Sequence, residues 1–133
     1  MPLKRANSIF HLPFNIMYII QPTPLFEKKK NKLKRKYPRI EKDYAPLVKK
    51  LKQGEFEDAE LQGFSGSVYK VRVASDDQRK GKRGGFRVIY YAITKDQIVY
   101  LITIYAKAQQ EDLSHQQKQD LKILIEKLNK LEI

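Results

Sequence analysis

A concentration of basic residues between positions 70 and 87 carries the strongest chemical signal in this sequence, and it includes Lys70, Arg72, Lys80, Lys82, Arg83 and Arg87. Lysine and arginine bind phosphate, and grouped cations stabilise the negative charge that develops on a phosphate under attack. Gly81, Gly84 and Gly85 lie in the same stretch and allow the backbone to bend tightly or to approach a ligand. The stretch therefore predicts a phosphodiester site. The alternative is a solvated hairpin loop whose charges serve only solubility.

Three predicted strands hold part of this basic group in place. In residues 67–75 apolar and basic side chains alternate, which places Lys70 and Arg72 on one face of a strand. Residues 86–94 form the next strand and carry Arg87. Residues 98–104 are apolar at both alternating sets of positions, which indicates a strand covered on both sides. We expect the three strands to form an antiparallel meander.

Helical periodicity predicts the elements that support this sheet. A short strand at 17–21 ends at a proline, and a lysine-rich helix then runs to about residue 36. A second amphipathic helix, at about 38–52, completes an antiparallel hairpin, and a third begins at the capping-box pattern of Ser114. We therefore predict an α+β fold. Its small antiparallel sheet, a meander plus the N-terminal strand, packs against the helical hairpin, and a C-terminal helix completes the domain.

The composition limits the class of protein. The chain has 133 residues, with 27 Lys and Arg against 15 Asp and Glu and a formal net charge of +12. This length supports one domain, which we assign to residues 17–133, with residues 1–16 as an N-terminal extension that the domain does not require. The charge predicts a polyanionic partner such as nucleic acid, with an anionic membrane or an acidic protein as alternatives. The absence of cysteine excludes disulfides and thiolate metal sites and makes the cytoplasm the expected compartment.

Two further features could contact nucleic acid. Tyr91 and Tyr105 are interpreted as surface aromatic residues on which RNA bases could stack, although strand aromatics more often lie in the core. The lysine run at 28–36 fits a nucleic-acid or ribosome docking surface and, equally well, the solvated face of an ordinary helix.

Several kinds of catalytic site find no support in the sequence. The only histidines are His11 and His115, so a histidine-pair nuclease or a histidine metal site is not expected. The acidic cluster at 55–60 and the pair Asp76–Asp77 are explained more simply as solvated linker and loop residues than as metal ligands. Phosphate-loop, dinucleotide, zinc-protease and serine-hydrolase motifs are absent.

The predicted order of elements, together with the stretches KYPRIEKDY, YKVRVA and VYLITIYAKAQQEDLS, closely resembles the RelE/ParE superfamily of bacterial toxins. The match is best to the RelE/HigB-like branch and covers about residues 17–128. The resemblance implies the toxin of a toxin–antitoxin system, an mRNA endonuclease that uses no metal or cofactor and acts on the translating ribosome. It also implies a cognate antitoxin that sets the oligomeric state, and no membrane partner.

The resemblance assigns the reaction to Lys70, Arg72, Arg87 and Lys107. In that reaction a 2′-hydroxyl attacks the adjacent phosphate, a base removes the hydroxyl proton, and cations stabilise the developing charge. Lys70 is then the base, Arg72 and Arg87 hold the phosphate, and Lys107 assists or acts as the acid. Residues that would bind RNA around them are Lys80, Lys82, Arg83, Tyr91 and Tyr105.

The sequence departs from the family at two positions. Some RelE enzymes have a catalytic tyrosine and a further arginine after the last strand, which here align with Ser114 and Ala108. The chain then either uses the alternative basic set of the HigB-like branch, which would include Lys80, Lys82 and Arg83, or cleaves slowly or not at all. Two other functions stay open: a ParE-like inhibitor of DNA gyrase and a non-catalytic RNA-binding relative.

Overall fold

The structure, a computed structural model, describes residues 17–57, 60–64, 67–78 and 84–131. The predicted extension at 1–16 and the loop residues Lys80, Lys82 and Arg83 lie outside the described residues. In chain order the elements are β1 (Ile19–Pro22), α1 (Pro24–Lys34), α2 (Ile40–Lys52), β2 (Val68–Val73), β3 (Phe86–Ile93), β4 (Ile98–Ala106) and α3 (His115–Leu131).

The four strands form one sheet in the order β1-β4-β3-β2. The β2–β3 and β3–β4 pairs are antiparallel, so the predicted meander and the α+β class are confirmed. Strand β1 pairs in parallel with β4, and the sheet is therefore mixed where an antiparallel one was expected. Two helices separate β1 from the meander, so no tight turn dictates its direction, and a parallel pair requires a long connection of this kind.

Each face of the sheet has its own hydrophobic core. The α1–α2 hairpin covers one face, and the core on that side includes Phe26, Ile40, Leu51, Phe86, Val88 and Tyr90. Helix α3 covers the other face, and the core on that side includes Val68, Ile89, Ile102, Leu121 and Ile125. Strand β3 is buried along its whole length because it lies between both layers.

A bulge in β4 decides which face its last residues occupy. Ile89 of β3 pairs with Thr103, and the next residue, Tyr90, pairs with Leu101, so Ile102 is the extra residue in β4. Beyond the bulge the alternation is reversed: Ile104 lies in the hairpin-side core, and Tyr105 turns to the α3 side. Without the bulge Tyr105 would face the hairpin. The bulge thus brings the end of β4 onto the same face as the basic residues of β2.

Thr23 fixes the start of α1 to this part of β4. Its hydroxyl accepts a hydrogen bond from the Phe26 backbone N–H at 3.1 Å, as an N-cap does. The same hydroxyl lies 3.0 Å from the carbonyl oxygens of Leu101 and Ile102 and can donate to either. Thr23 thus caps α1 and also satisfies backbone groups at the bulge.

Part of the lysine run in α1 is structural. The Lys30 side chain is only 10% exposed, and its Nζ lies 2.6 Å from Glu41 Oε2 and 3.1 Å from Glu27 Oε1. Lys34 Nζ lies 2.8 Å from the other Glu41 oxygen. Hydrogen bonds from Lys30 and then Lys34 lower the pKa of Glu41 to about 2. Glu41 on α2 therefore forms ion pairs with two lysines of α1 and ties the hairpin together.

Replacing Glu41 with glutamine should flatten the acid dependence of stability. A carboxyl whose pKa is lowered on folding stabilises the protein above its unfolded value, here 4.5, and loses this contribution as pH falls towards about 2. Solvent screening at the half-exposed Glu41 keeps the effect to about 1 kcal/mol. Urea unfolding between about pH 5 and 2 should show the wild type losing more stability than Glu41→Gln. Glu126→Gln, at an exposed glutamate of α3, is the control, and an unchanged pH profile for Glu41→Gln would contradict the interpretation.

Candidate phosphodiester site

Strand register places the predicted catalytic arginines next to each other. Arg72 of β2 is paired with Arg87 of β3, which is paired in turn with Tyr105 of β4. Side chains of directly opposed residues on one face lie about 5 Å apart at Cβ. Lys70 lies two residues before Arg72 on the same face, and Lys107 lies two residues after Tyr105. We call the group of Lys70, Arg72, Arg87 and Lys107 the basic site.

The Lys107 backbone shows that the basic site continues past the end of β4. Its N–H donates to the Gly85 carbonyl at 3.0 Å, which extends the β3–β4 ladder by one step. The structure thus brings the four predicted catalytic residues to one end of one sheet face. Lys80, Lys82 and Arg83 belong to the β2–β3 loop, outside the described residues.

The members of the basic site differ in exposure. Arg72 is exposed, and the side chains of Lys70 and Lys107 are partly buried. Arg87 is only 6% exposed and lies between Arg72 and Tyr105 in the strand register, where its Nη1 donates to the Phe86 carbonyl at 3.1 Å. A guanidinium held by its surroundings loses little further freedom when it binds an anion, so Arg87 is the preorganised cation of the site.

Two acidic residues after β4, which were not predicted from the sequence, counter these cations. Asp112 Oδ1 lies 3.4 Å from Lys70 Nζ, and Asp112 Oδ2 lies 3.7 Å from Lys118 Nζ. Glu111 is ion-paired with Lys107. The signal for them was the Glu-Asp pair in the segment between the last strand and α3, but only folding shows that this segment returns to the basic site.

Both acids are ionised near neutral pH. Burial opposes ionisation of Asp112, but the Leu113 backbone N–H and the Lys70 charge together lower its pKa. The hydrogen bond from Lys107 lowers the pKa of Glu111. The ionised acids offset the dense positive surroundings that were expected around Lys70. Lys118, on the first turn of α3, is a further cation near the basic site, and it was not predicted from the sequence.

Tyr105 is buried, which corrects its prediction as a surface stacking residue. Its side chain is 6% exposed and lies beneath the basic site. Burial first, and then the Asp112 carboxylate, raise the pKa of Tyr105 to about 12, and Arg87 opposes the shift. No hydrogen bond of normal geometry joins the hydroxyl to Asp112. Tyr105 is a protonated hydroxyl at neutral pH, without an exposed ring face for a base.

Tyr91 is also buried, so its prediction as an RNA-stacking surface residue is wrong. It is 7% exposed within the α3-side core, and its hydroxyl donates to Asn129 Oδ1 of α3 at 3.3 Å. Tyr91 lies four positions after Arg87 on β3, towards the opposite end of the strand. The physical reason is that α3 covers this end of the sheet face, where it shields the ring from solvent.

The start of α3 lies against the basic site through its capping box. The Gln117 N–H donates to Ser114 Oγ at 3.1 Å, and the Ser114 N–H donates to Gln117 Oε1 at 2.9 Å, which confirms the predicted pattern. This cap fixes the first turn, so that Lys118 faces Asp112. Ser114, which aligns with a catalytic tyrosine in some RelE enzymes, serves here as the helix cap.

The acidic pair of the β2–β3 loop is structural rather than simply solvated. Asp77 Oδ2 accepts a hydrogen bond from the Arg39 backbone N–H at 2.7 Å, and Asp76 Oδ2 lies 2.9 Å from Arg39 Nη1. The Asp76 N–H donates in turn to Asp43 Oδ2 at 3.2 Å. These contacts anchor the loop to the start of α2. Among the described residues no group of three or more acidic or histidine side chains is arranged to hold a metal ion.

Comparison with known proteins gives one family. Residues 25–132 match the family model described as the RelE toxin of the RelE/RelB toxin–antitoxin system. Among solved structures, the isolated Escherichia coli RelE toxin is similar at 19% identity over 80% of this chain and 98% of that chain, with a TM-score of 0.48. The intact E. coli RelBE toxin–antitoxin complex is similar at 22% identity over 67% of this chain and 95% of that chain, with a TM-score of 0.47.

An archaeal relative has a lower TM-score. The RelE–RelB complex from Pyrococcus horikoshii is similar at 20% identity over 71% of this chain and 99% of that chain, with a TM-score of 0.41. Across the helices of the described ranges, none is both long and apolar enough to span a membrane.

Proposed function

Because this chain belongs to the RelE family of toxins of toxin–antitoxin systems, we propose that it cleaves mRNA by attack of a 2′-hydroxyl on the adjacent phosphate. The observation that carries the proposal is the basic site: Arg72 and Arg87 are paired across two strands, with Lys70 and Lys107 on the same sheet face. One phosphodiester can contact several of these cations at once. Such an arrangement stabilises the charge that develops on phosphorus.

In the proposed reaction the arginines bind the phosphate, and a lysine–aspartate pair transfers the protons. In the proposed step the 2′-oxygen bonds to phosphorus, the bond to the 5′-oxygen breaks, and the products are a cyclic phosphate and a 5′-hydroxyl. Arg87 and Arg72 bind the phosphate oxygens, since both present planar guanidinium donors. We assign the proton transfers to the ion pair of Lys70 with Asp112, in place of Lys70 alone as the base: the carboxylate accepts the 2′-hydroxyl proton, and the Lys70 ammonium, whose Nζ lies 3.4 Å from Asp112 Oδ1, supplies a proton to the leaving 5′-oxygen.

We further propose that the partners are a cognate antitoxin and mRNA on the ribosome. Two of the similar solved structures are complexes of a RelE protein with its RelB antitoxin, which supports an antitoxin for this chain. An acidic antitoxin segment would complement the net charge of +12.

Controlled expression in bacteria tests the proposal. Wild type, Lys70→Ala/Arg72→Ala and the control Lys49→Ala/Lys50→Ala, which removes two exposed cations of α2, are compared by mapping new mRNA 5′ ends on translating ribosomes. We expect breaks within reading frames for the wild type and the control, and none for the basic-site variant. Growth arrest with intact mRNA and a DNA-damage response would indicate gyrase inhibition instead. RNA binding without breaks would indicate a non-catalytic relative.

A further inference from the structure

We propose that the Tyr105 hydroxyl positions Asp112 for the proton transfer: when RNA binds, the hydroxyl donates a hydrogen bond to the Asp112 carboxylate and holds it in place. The inference rests on the proposed function and deepens it, because it gives the group that accepts the 2′-hydroxyl proton a support of its own. Tyr105 is part of β4 and is therefore distinct from the tyrosine that some RelE enzymes have after the last strand. It acts through Asp112 and is a positioning residue.

The Tyr105 hydroxyl is a buried polar group without a partner. The residue is 6% exposed, and its oxygen is enclosed yet forms no hydrogen bond within the described residues. The tyrosines of β3 differ in this respect. The Tyr90 hydroxyl accepts the Glu57 N–H at 2.8 Å, and the Tyr91 hydroxyl donates to α3. An unpaired buried hydroxyl has lost its hydration and gained no bond in return, whereas phenylalanine would fill the same space without that cost. The hydroxyl therefore points to a role that begins when the substrate binds.

The acceptor that we assign to Tyr105 is the Asp112 carboxylate. The bulge in β4 turns Tyr105 to the face of the basic site, where it is paired with Arg87. Burial and then the Asp112 charge raise the pKa of Tyr105 to about 12, and the Glu111 charge contributes less. The hydroxyl therefore keeps a proton that it can donate, and the acid that acts on it most is Asp112. In the structure the two groups are neighbours that no hydrogen bond of normal geometry joins.

Cations at and near the basic site help to hold Asp112. Its Oδ1 accepts the Leu113 N–H at 2.7 Å and lies 3.4 Å from Lys70 Nζ, and its Oδ2 lies 3.7 Å from Lys118 Nζ. Both lysine contacts are longer than the roughly 2.8 Å of a strong charge-assisted hydrogen bond. In the proposed step Lys70 turns to the leaving oxygen, and the phosphate attracts both ammonium groups. RNA binding thus weakens the lysine contacts of a carboxylate that must stay oriented.

The Tyr105 hydroxyl is suited to replace these contacts. Its ring is buried in the sheet, so the hydroxyl is held before the substrate arrives and loses little freedom when it forms the bond. A neutral donor is not attracted to the phosphate as an ammonium is, and the high pKa of Tyr105 keeps its own proton in place while Asp112 accepts another. Because the hydroxyl oxygen is enclosed, the donor lies on the interior side of the site and leaves the substrate side of the carboxylate free.

Two tyrosine-to-phenylalanine variants test this role. Tyr105→Phe removes the unpaired hydroxyl, and Tyr90→Phe removes a paired one on the opposite face of the sheet. Single-turnover cleavage of mRNA on purified translating ribosomes is measured over a range of toxin concentrations. For Tyr105→Phe we expect the saturating rate to fall about tenfold or more, while the half-saturating concentration stays within about twofold of the wild type. Tyr90→Phe should match the wild type in both quantities.

The stability of the two variants should change in the opposite order. Urea unfolding of Tyr105→Phe should have a midpoint no lower than that of the wild type, because this variant loses no hydrogen bond. Tyr90→Phe should have a lower midpoint, since it leaves the Glu57 N–H without its acceptor. A lower midpoint for Tyr105→Phe would overturn the inference, because the hydroxyl would then already be paired without RNA.

A double-mutant cycle tests whether the hydroxyl acts through Asp112. In an Asp112→Asn background, Tyr105→Phe should change the residual rate by less than about twofold, whereas independent effects would multiply. Three results would each overturn the positioning role alone, with cleavage by the wild type intact: multiplied losses, a wild-type rate for Tyr105→Phe, or a raised half-saturating concentration in place of a slower rate. Intact mRNA with the wild-type protein would overturn the proposed function and this inference with it.

Discussion

Replacing Arg87 with lysine should lower the rate of mRNA cleavage by about 100-fold or more, because lysine keeps the charge but loses the planar fork of donors. Arg87 is the most buried cation of the basic site, and it lies between Arg72 and Tyr105 in the strand register. Its donors are held before the substrate arrives, so the loss should affect the transition state more than binding. The measurement is single-turnover cleavage of mRNA on purified translating ribosomes at saturating toxin.

A second arginine provides the control for this experiment. Arg39 is exposed on the hairpin side and contacts Asp76 at 2.9 Å, so Arg39→Lys should retain nearly full cleavage. Urea unfolding of Arg87→Lys should show a loss of no more than about 2 kcal/mol, since the aliphatic stem still fills the site. A folded Arg87→Lys protein that cleaves at the wild-type rate would show that Arg87 does not hold the reacting phosphate.

The placement of the strand cations could be predicted because strand alternation is local. Val71 and Val73 mark the core face of β2, so their neighbours Lys70 and Arg72 had to lie on the opposite face. The same argument held for Arg87, next to the buried Phe86. Wherever a strand mixes apolar and basic residues, the sequence itself indicates the face.

The end of β4 could not be predicted in this way. The strand is apolar at nearly every position, so nothing in its pattern indicates that Ile102 is bulged. The facing of Tyr105 depends on that one extra residue, and its burial depends on the segment that follows it. The direction of β1 likewise depends on its partner β4, which lies far away in the sequence.

Ion pairs between residues far apart in the chain also could not be predicted from the sequence. The prediction of a positive patch around Lys70 could not include Asp112, because 42 residues separate the two in the chain. The lysine run gave no sign that Lys30 is buried, since its partner Glu41 lies on the next helix. In both cases tertiary contacts decide which charges of a run are free to bind a partner.

Replacing Gly85 with alanine should destabilise the protein by at least about 2 to 4 kcal/mol, a large share of the stability of a small domain. A Cβ at this position would lie 2.0 Å from the Val73 carbonyl oxygen and 2.9 Å from the Ser75 amide nitrogen. Both are backbone atoms at the end of β2, which can move aside only if β2 separates from β3. The Gly85 φ lies outside the left-handed region, so glycine is needed there for space and not for conformation.

Gly63→Ala separates these two requirements of glycine. Gly63 has a φ of +90° but open space around its Cβ position, so alanine there should cost only the backbone strain of about 1 to 2 kcal/mol. Thermal and urea unfolding of both variants should rank Gly85→Ala as clearly the less stable. Because the β2–β3 register also aligns Arg72 with Arg87, Gly85→Ala should lose cleavage even at temperatures where it stays folded. Equal stability of the two variants would mean that β3 does not pass this close to β2, and it would contradict the pairing of Arg72 with Arg87, which depends on that contact.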